Sequence, residues 1–325
     1  MTNTRLRLAL ACGLLALPAA VSAARAADDY PNRPIHIYNG FPAGSGADVI
    51  TRFYGDKLRA LAGQPVIVEN KVGALGNIAA DSVVHAKPDG YTLLVTPNSA
   101  AAANVHLFRN LPFDPTRDLM PVTTLVQLPF VLVVGAKSPV KSVKELSEFL
   151  KGKGGKGTFG YANSTALASA ELYKTLANVP ANGVAYKGVP QSITDLMAGD
   201  IDFEFADATF ALPQIEQGAI RALAVTTGKR STAIKDVPTM VEAGVPGYEI
   251  FAWFAAFLPA GTPPAIADKL SAWLNQIQET AEAREFLLKL ATETFPGSPA
   301  SLKTFQASEI DKWGQIVKAA KIEPQ

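Results

Sequence analysis

The sequence predicts an α/β protein made of two successive units of alternating strand and helix. Three observations carry this. After position 26 the first hundred residues alternate short apolar runs with helix-period segments. The middle of the chain repeats that plan. The opening strand feeds a glycine-rich turn at the head of a helix. Apolar residues at 48% and charged residues at 18% fit an ordinary globular composition.

The elements follow in order. Residues 35–39 form a short extended run that enters the turn Gly40-Phe41-Pro42-Ala43-Gly44-Ser45-Gly46-Ala47-Asp48. Residues 48–61 place Val49, Ile50, Phe53, Tyr54, Leu58 and Leu61 on one helical face. Residues 65–69, with Val-Ile-Val inside, read as a buried strand, 76–85 as a helix with Ile78, Ala79 and Val83 inward, and 91–96 as a third strand. This βαβαβ order implies a parallel sheet with right-handed crossovers.

The second unit runs strand 131–134, helix to Leu150, strand 158–161, helix 164–176, strand 184–186, helix 190–197, and strands 201–205 and 222–225. Ser142-Val143-Lys144-Glu145 and Thr239-Met240-Val241-Glu242 are capping boxes, each read as opening a helix. The tail is helical. Thr262-Pro263-Pro264 starts it, Ile266, Leu270, Trp273, Leu274 and Ile277 share a face, and helices follow at 282–290 and 299–320. The lysine- and glycine-rich stretch 151–157 reads as a solvated loop, because no helix follows it directly to cradle a phosphate.

The N-terminus reads as an export leader. Arg5 and Arg7 precede an apolar run over 8–21, and Ala24-Arg25-Ala26 is a small-x-small cleavage site. Removing 1–26 leaves 299 residues with 27 basic and 29 acidic side chains, a net charge of −2. That balance favours neither nucleic acid nor an anionic membrane surface. The sole cysteine, Cys12, lies within the apolar run, so the mature chain has no disulfide, cysteine metal site or cysteine nucleophile. A lipid anchor on Cys12 is disfavoured by its mid-run position. No cofactor and no metal are expected.

An open parallel sheet binds ligands at the carboxyl ends of its strands. Four turns fall there: 41–48; Thr96 to Ser99, with Asn98; Asn163-Ser164-Thr165; and Asp207 to Phe210. They are small, hydroxylic and amidic, without Arg or Lys. Helix N-terminal N–H groups hold anions without a cation. Each turn taken singly has an ordinary explanation in turn chemistry. Asp48 is read as a helix cap or first-turn acid in preference to a ligand amine site. Asp207 ends a strand with no evident cap role and is the better polar candidate. Gly44-Ser45-Gly46 lacks the spacing of a nucleophile elbow, and His36, His85 and His106 are scattered. His36 reads as a packing residue, and His85 and His106 as surface residues.

Several short motifs in order then carry a resemblance. They include Tyr30-Pro31-Asn32-Arg33-Pro34-Ile35, Phe41-Pro42 with Gly44 and Asp48, and Pro88-Asp89-Gly90-Tyr91. Leu111-Pro112-Phe113-Asp114-Pro115, Tyr186-Lys187-Gly188, Val237-Pro238-Thr239 and Pro259-Ala260-Gly261-Thr262-Pro263 continue the series. The chain resembles the Bug-type extracytoplasmic solute receptors of tripartite tricarboxylate transporters over essentially the whole mature length.

The resemblance implies a two-lobed periplasmic binding protein fold, two Rossmann-like α/β domains joined by crossing segments. The expected boundaries are 27–127 plus 252–325 for lobe 1 and 128–251 for lobe 2. It implies a non-enzymatic periplasmic monomer that captures a small carboxylate and delivers it to two integral membrane permease subunits. The first-lobe contacts would be Phe41, Ala43, Gly44, Ser45, Gly46, Asp48, Thr96, Asn98 and Ser99. The second-lobe contacts would be Asn163, Ser164, Thr165, Tyr186 and Asp207. The same fold could instead serve a sensor kinase or, less in keeping with the motifs, an exported hydrolase. Two departures bear on the ligand. Pro42-Ala43-Gly44-Ser45 stands where the family usually has Pro-Pro-Gly-Gly, and the loop at 161–165 is shorter than usual.

Overall fold

The computed structural model describes residues 30–324. The leader read over 1–26, its cleavage site and Cys12 lie outside the described residues. Among the described residues no helix is long and apolar enough to cross a membrane.

The chain forms two sheets. The first has six strands in the order β11-β4-β10-β3-β1-β2, with β1 Ile35–Asn39, β2 Val66–Asn70, β3 Thr92–Pro97, β4 Leu119–Leu128, β10 Ala252–Pro259 and β11 Glu293–Thr294. The second has five in the order β7-β6-β8-β5-β9, with β5 Phe130–Gly135, β6 Thr158–Tyr161, β7 Asn182–Ala185, β8 Phe203–Asp207 and β9 Ile220–Val225. Only Pro129 separates β4 from β5, so one nearly continuous extended run passes between the sheets. The chain returns at Ala252, whose partner in the ladder is Leu128. Thr226 ties the two crossings together: its hydroxyl accepts from the Phe130 N–H, and its carbonyl accepts from the Ile250 N–H.

Helices cover the sheets. They are α1 Gly46–Ala62, α2 Asn77–Val84, α3 Asn104–Leu107, α4 Val143–Gly152, α5 Ser164–Ala177, α6 Val189–Ala198, α7 Ala208–Glu216, α8 Pro264–Glu279, α9 Ala281–Leu288 and α10 Pro299–Ala319. Local chemistry starts most of them. Ser45 caps α1 by accepting from the Asp48 N–H, Asn163 caps α5 through Ala166, and Thr280 and Ser298 cap α9 and α10. Gly63 ends α1 at φ 63°, a left-handed position where a side chain would be strained. Strands β5 and β10 are buried at every position, as expected of central strands covered on both faces.

Several expectations need correction. The sheets are mixed. Parallel pairing is confined to β1 with β2 and β3, and to β6 with β7 and β8. Strands β4, β5, β9, β10 and β11 pair antiparallel, because crossing strands enter each sheet against the local direction. Ile78 is exposed on α2; its side chain lies over Gly73 while Ala79, Ala80 and Val83 face the core. The Thr239–Glu242 box forms both reciprocal bonds but opens no helix, since Gly244 (φ 95°) and Pro246 follow within a turn. At Ser142 only half the box forms, and the Glu145 carboxylate accepts from the Lys141 N–H. His106 is half-buried, with Nε2 2.9 Å from the Ile310 carbonyl oxygen. His36 is half-exposed and pairs with Glu69.

Candidate functional site

The lobes meet across a cleft whose inner pocket is narrow in this closed arrangement, a cavity of about 30 Å³. Four helix N-termini reach its wall. Ser45 and Ala47 come from the head of α1, Asn163 and Thr165 from α5, Gly188 and Val189 from α6, and Asp207 from α7. Phe41, Pro97, Phe130, Ala252 and Phe254 supply the apolar remainder. No Lys, Arg or His lines this pocket.

First-turn N–H groups of a helix have no carbonyl behind them. At α1 the Ser45 N–H is spent on the Pro42 carbonyl and the Asp48 N–H on the Ser45 hydroxyl. Those of Gly46 and Ala47 have no partner among the described residues. The same holds for Ser164 and Thr165 on α5, because Ala166 and Leu167 use Asn163. Two side-chain donors nearby are also buried and unpartnered: Asn98 Nδ2 and Ser99 Oγ. Such groups demand an acceptor, and converging helix dipoles favour a negative one.

The carboxyls divide into three kinds. Burial pushes Asp48 up, but bonds from Arg52, Asn70 and the Gly44 N–H outweigh it and hold the carboxyl below its ordinary value. Asp48 thus fixes the shape of the 41–48 turn. Asp207 is pushed up to about 6 by burial, against an opposing bond from the Phe210 N–H. Glu204 on β8 is fully buried and pushed up to about 8 by burial; Ser192 serves Oε1 while Oε2 has no partner.

The expected contact residues do not all gather at one place. Phe41, Ser45, Asn163, Thr165 and Asp207 line the pocket, with Gly46 between two lining neighbours. Ala43 and Gly44 are exposed on the outside of the turn. Thr96 is buried in β3, its hydroxyl bonded to the Pro97 carbonyl. Asn98 and Ser164 bridge the lobes instead. Thr165 Oγ1 donates to Asn98 Oδ1 at 3.2 Å, and Ser164 donates to Asn104 Oδ1. Tyr186 donates to Asp195 at 2.7 Å and lines a neighbouring groove with Phe41 and Lys187. Asp207 does have a cap role: its Oδ1 accepts from Phe210 at the start of α7. That helix contains Pro213, which hides it from a periodicity reading.

Pro97 falls within the expected 96–99 turn, but sequence reasoning missed Gly188, Val189 and the crossing-strand residues Phe130, Ala252 and Phe254 as wall. The only signal for the last three was the expected position of the crossings. Among the described residues there is no cluster that could hold a metal.

The family model for the tripartite tricarboxylate transporter family receptor matches residues 50–322. The chain belongs to that family. BugT of Bordetella pertussis is 33% identical over 316 residues, covering 96% of this chain and 97% of BugT. Among solved structures, an R. palustris protein with adipate is 32% identical at a TM-score of 0.89, covering 91% of this chain and all of that one. MatC from Rhodopseudomonas palustris with bound malate is 30% identical at 0.84, covering 89% of this chain and all of MatC. The periplasmic binding protein BugD superposes at 0.87 with 28% identity. The receptor family therefore accounts for the two-lobed architecture, and its members are periplasmic receptors.

Proposed function

We propose that this receptor captures a small organic carboxylate in the periplasm and delivers it to a tripartite-type permease of two integral membrane subunits. The observation that carries the reading is the cationless pocket ringed by helix N-termini with unspent N–H groups. A carboxylate satisfies those donors and the dipoles together. Adipate and malate in two relatives support the same chemistry. The reading takes the protein as a binding monomer with no turnover of its ligand, exported by a leader over 1–26.

The lobes are assigned as 27–127 plus 252–325 and 128–251, hinged near 127–130 and near 252–254. The contacts are drawn from both: Phe41, Ser45, Gly46 and Ala47 on one side, Asn163, Thr165 and Asp207 on the other. A ligand touching both lobes binds the closed form better and shifts the hinge equilibrium by that difference.

The test is a thermal-shift screen of the mature protein against organic acids, sugars and cations. A cognate acid at a hundredfold excess over Kd adds ~2.7 kcal/mol, a rise of several degrees in Tm. A panel in which only sugars or cations raise the melting temperature refutes the reading.

A further inference from the structure

Asp207 places a carboxyl group inside a pocket that otherwise suits anions. The residue is 8% exposed and lines the inner wall. Phe210 N–H bonds its Oδ1, and no cationic side chain bonds it among the described residues. It lies across the cleft against the first residue of α1: a Cβ built on Gly46 would stand 2.1 Å from Asp207 Oδ1. An acid of one lobe thus sits directly beside the anion-binding helix end of the other, so a ligand that parts the two would meet both at once.

Charge accounting separates the ligands this arrangement accepts. The remaining carboxyls near Asp207 are Glu204, which burial keeps largely neutral at pH 7, and Asp48, which is bound to Arg52 and Asn70. At neutral pH Asp207 is largely ionised. A plain dicarboxylate would set two more negative charges beside it with no side-chain cation to offset them, a costly burial. A ligand with a carboxylate at one point and an ammonium at another leaves every buried charge paired. The carboxylate meets the first-turn N–H groups of α1, and the ammonium meets Asp207.

We propose that Asp207 is a specificity residue that selects carboxylates bearing a protonated amine over plain carboxylates of the same length. This rests on the carboxylate-receptor reading above and narrows its ligand class to amino-acid-like zwitterions.

Asp207→Asn is the decisive variant, because asparagine caps a helix as well as aspartate does and keeps the side-chain shape. Its ligand-free melting temperature at pH 7.5 should be at or above that of wild type, because the substitution removes a buried charge whose folded pKa burial raises to about 6. Calorimetric titration at pH 7.5 compares matched probes: glutamate with glutarate, aspartate with succinate, alanine with propionate, 4-aminobutanoate with butanoate. In wild type the amine-bearing member of the best-binding pair should be tighter by about 10- to 100-fold, the range of a charge-assisted hydrogen bond. Asp207→Asn should erase that preference. Affinity for the amino ligand should also fall as pH drops through about 6, where Asp207 takes up its proton, and this arm should vanish in the variant. A purely structural aspartate would move neither readout.

Plain acids binding wild type as tightly as their amine partners, or a preference that survives Asp207→Asn, overturns the proposal and leaves the receptor reading standing. Failure of every acid of both kinds sinks both.

Discussion

Glu204→Gln isolates a cost that the fold carries at neutral and alkaline pH. The side chain has no solvent exposure, and burial raises its pKa from 4.5 to about 8. A carboxyl whose folded pKa lies above its unfolded value binds more protons folded than unfolded within that window. Its contribution to stability is therefore complete below about pH 4.5 and is lost as pH rises through 8. Between pH 5 and pH 8 the two values integrate to a loss of about 3–4 kcal/mol, at ~1.36 kcal/mol per unit. Glutamine keeps an acceptor for the Ser192 hydroxyl at Oε1 and removes the charge. It also places an NH₂ where Oε2 has no partner, an offset that is independent of pH.

The signature is therefore a slope. In urea unfolding at pH 5, 6, 7 and 8, wild type should lose several kcal/mol relative to the variant across the series. The gap at pH 5 reports only the unpartnered amide. Asp207 titrates in both proteins over its own window below about 6, so it cancels in the difference to first order. Parallel stability curves for the two proteins would show that Glu204 is solvated or paired in solution, and the reasoning would fail.

Two glycines should act as wedges at the cleft. A Cβ on Gly46 meets Asp207, and one on Gly188 meets Pro42 Cγ at 2.6 Å, both across the lobes. Neither position has a left-handed φ, so Gly46→Ala and Gly188→Ala should fold normally yet lose ligand-driven compaction in small-angle scattering. Full compaction with unchanged affinity would show that closure in solution leaves these gaps open. Thr165→Ala removes a neutral hydrogen bond to Asn98 between the lobes, and it should weaken binding by ~0.5–1.5 kcal/mol in calorimetry. An effect nearer 3 kcal/mol would instead mean that the hydroxyl bonds the charged ligand itself.

The sequence by itself determined the features held within a few residues of one another. Ser45 and Asn163 bond N–H groups three positions ahead, so a hydroxyl or amide at the head of an apolar-periodic run announces its helix. The β1-α1-β2-α2-β3 order announced parallel pairing among those strands. The absence of cations from the four turns was legible for the same reason, since each turn is one continuous stretch.

Tertiary structure decided what long-range pairing controls. Strand β4 reads Leu-Met-Pro-Val-Thr-Thr-Leu-Val-Gln-Leu, with no alternation to mark it. It becomes a strand because β10, more than a hundred residues later, pairs along it. That pairing helps to make the first sheet mixed, as the antiparallel pairing of β5 with β8 and β9 does the second, and the crossings bring Phe130, Ala252 and Phe254 to the pocket wall. It also decided which flagged side chains were free. Tyr186 is taken by Asp195, Asp48 by Arg52 and Asn70, and Ser164 by Asn104, while Asp207, which caps α7 through the Phe210 N–H, has no cationic side-chain partner among the described residues and lies against Gly46 across the cleft. A linear pattern reports which residue types a turn offers. Whether a polar group remains unspent depends on neighbours the chain brings to it only on folding, because a buried donor or acceptor takes whichever partner the packing supplies.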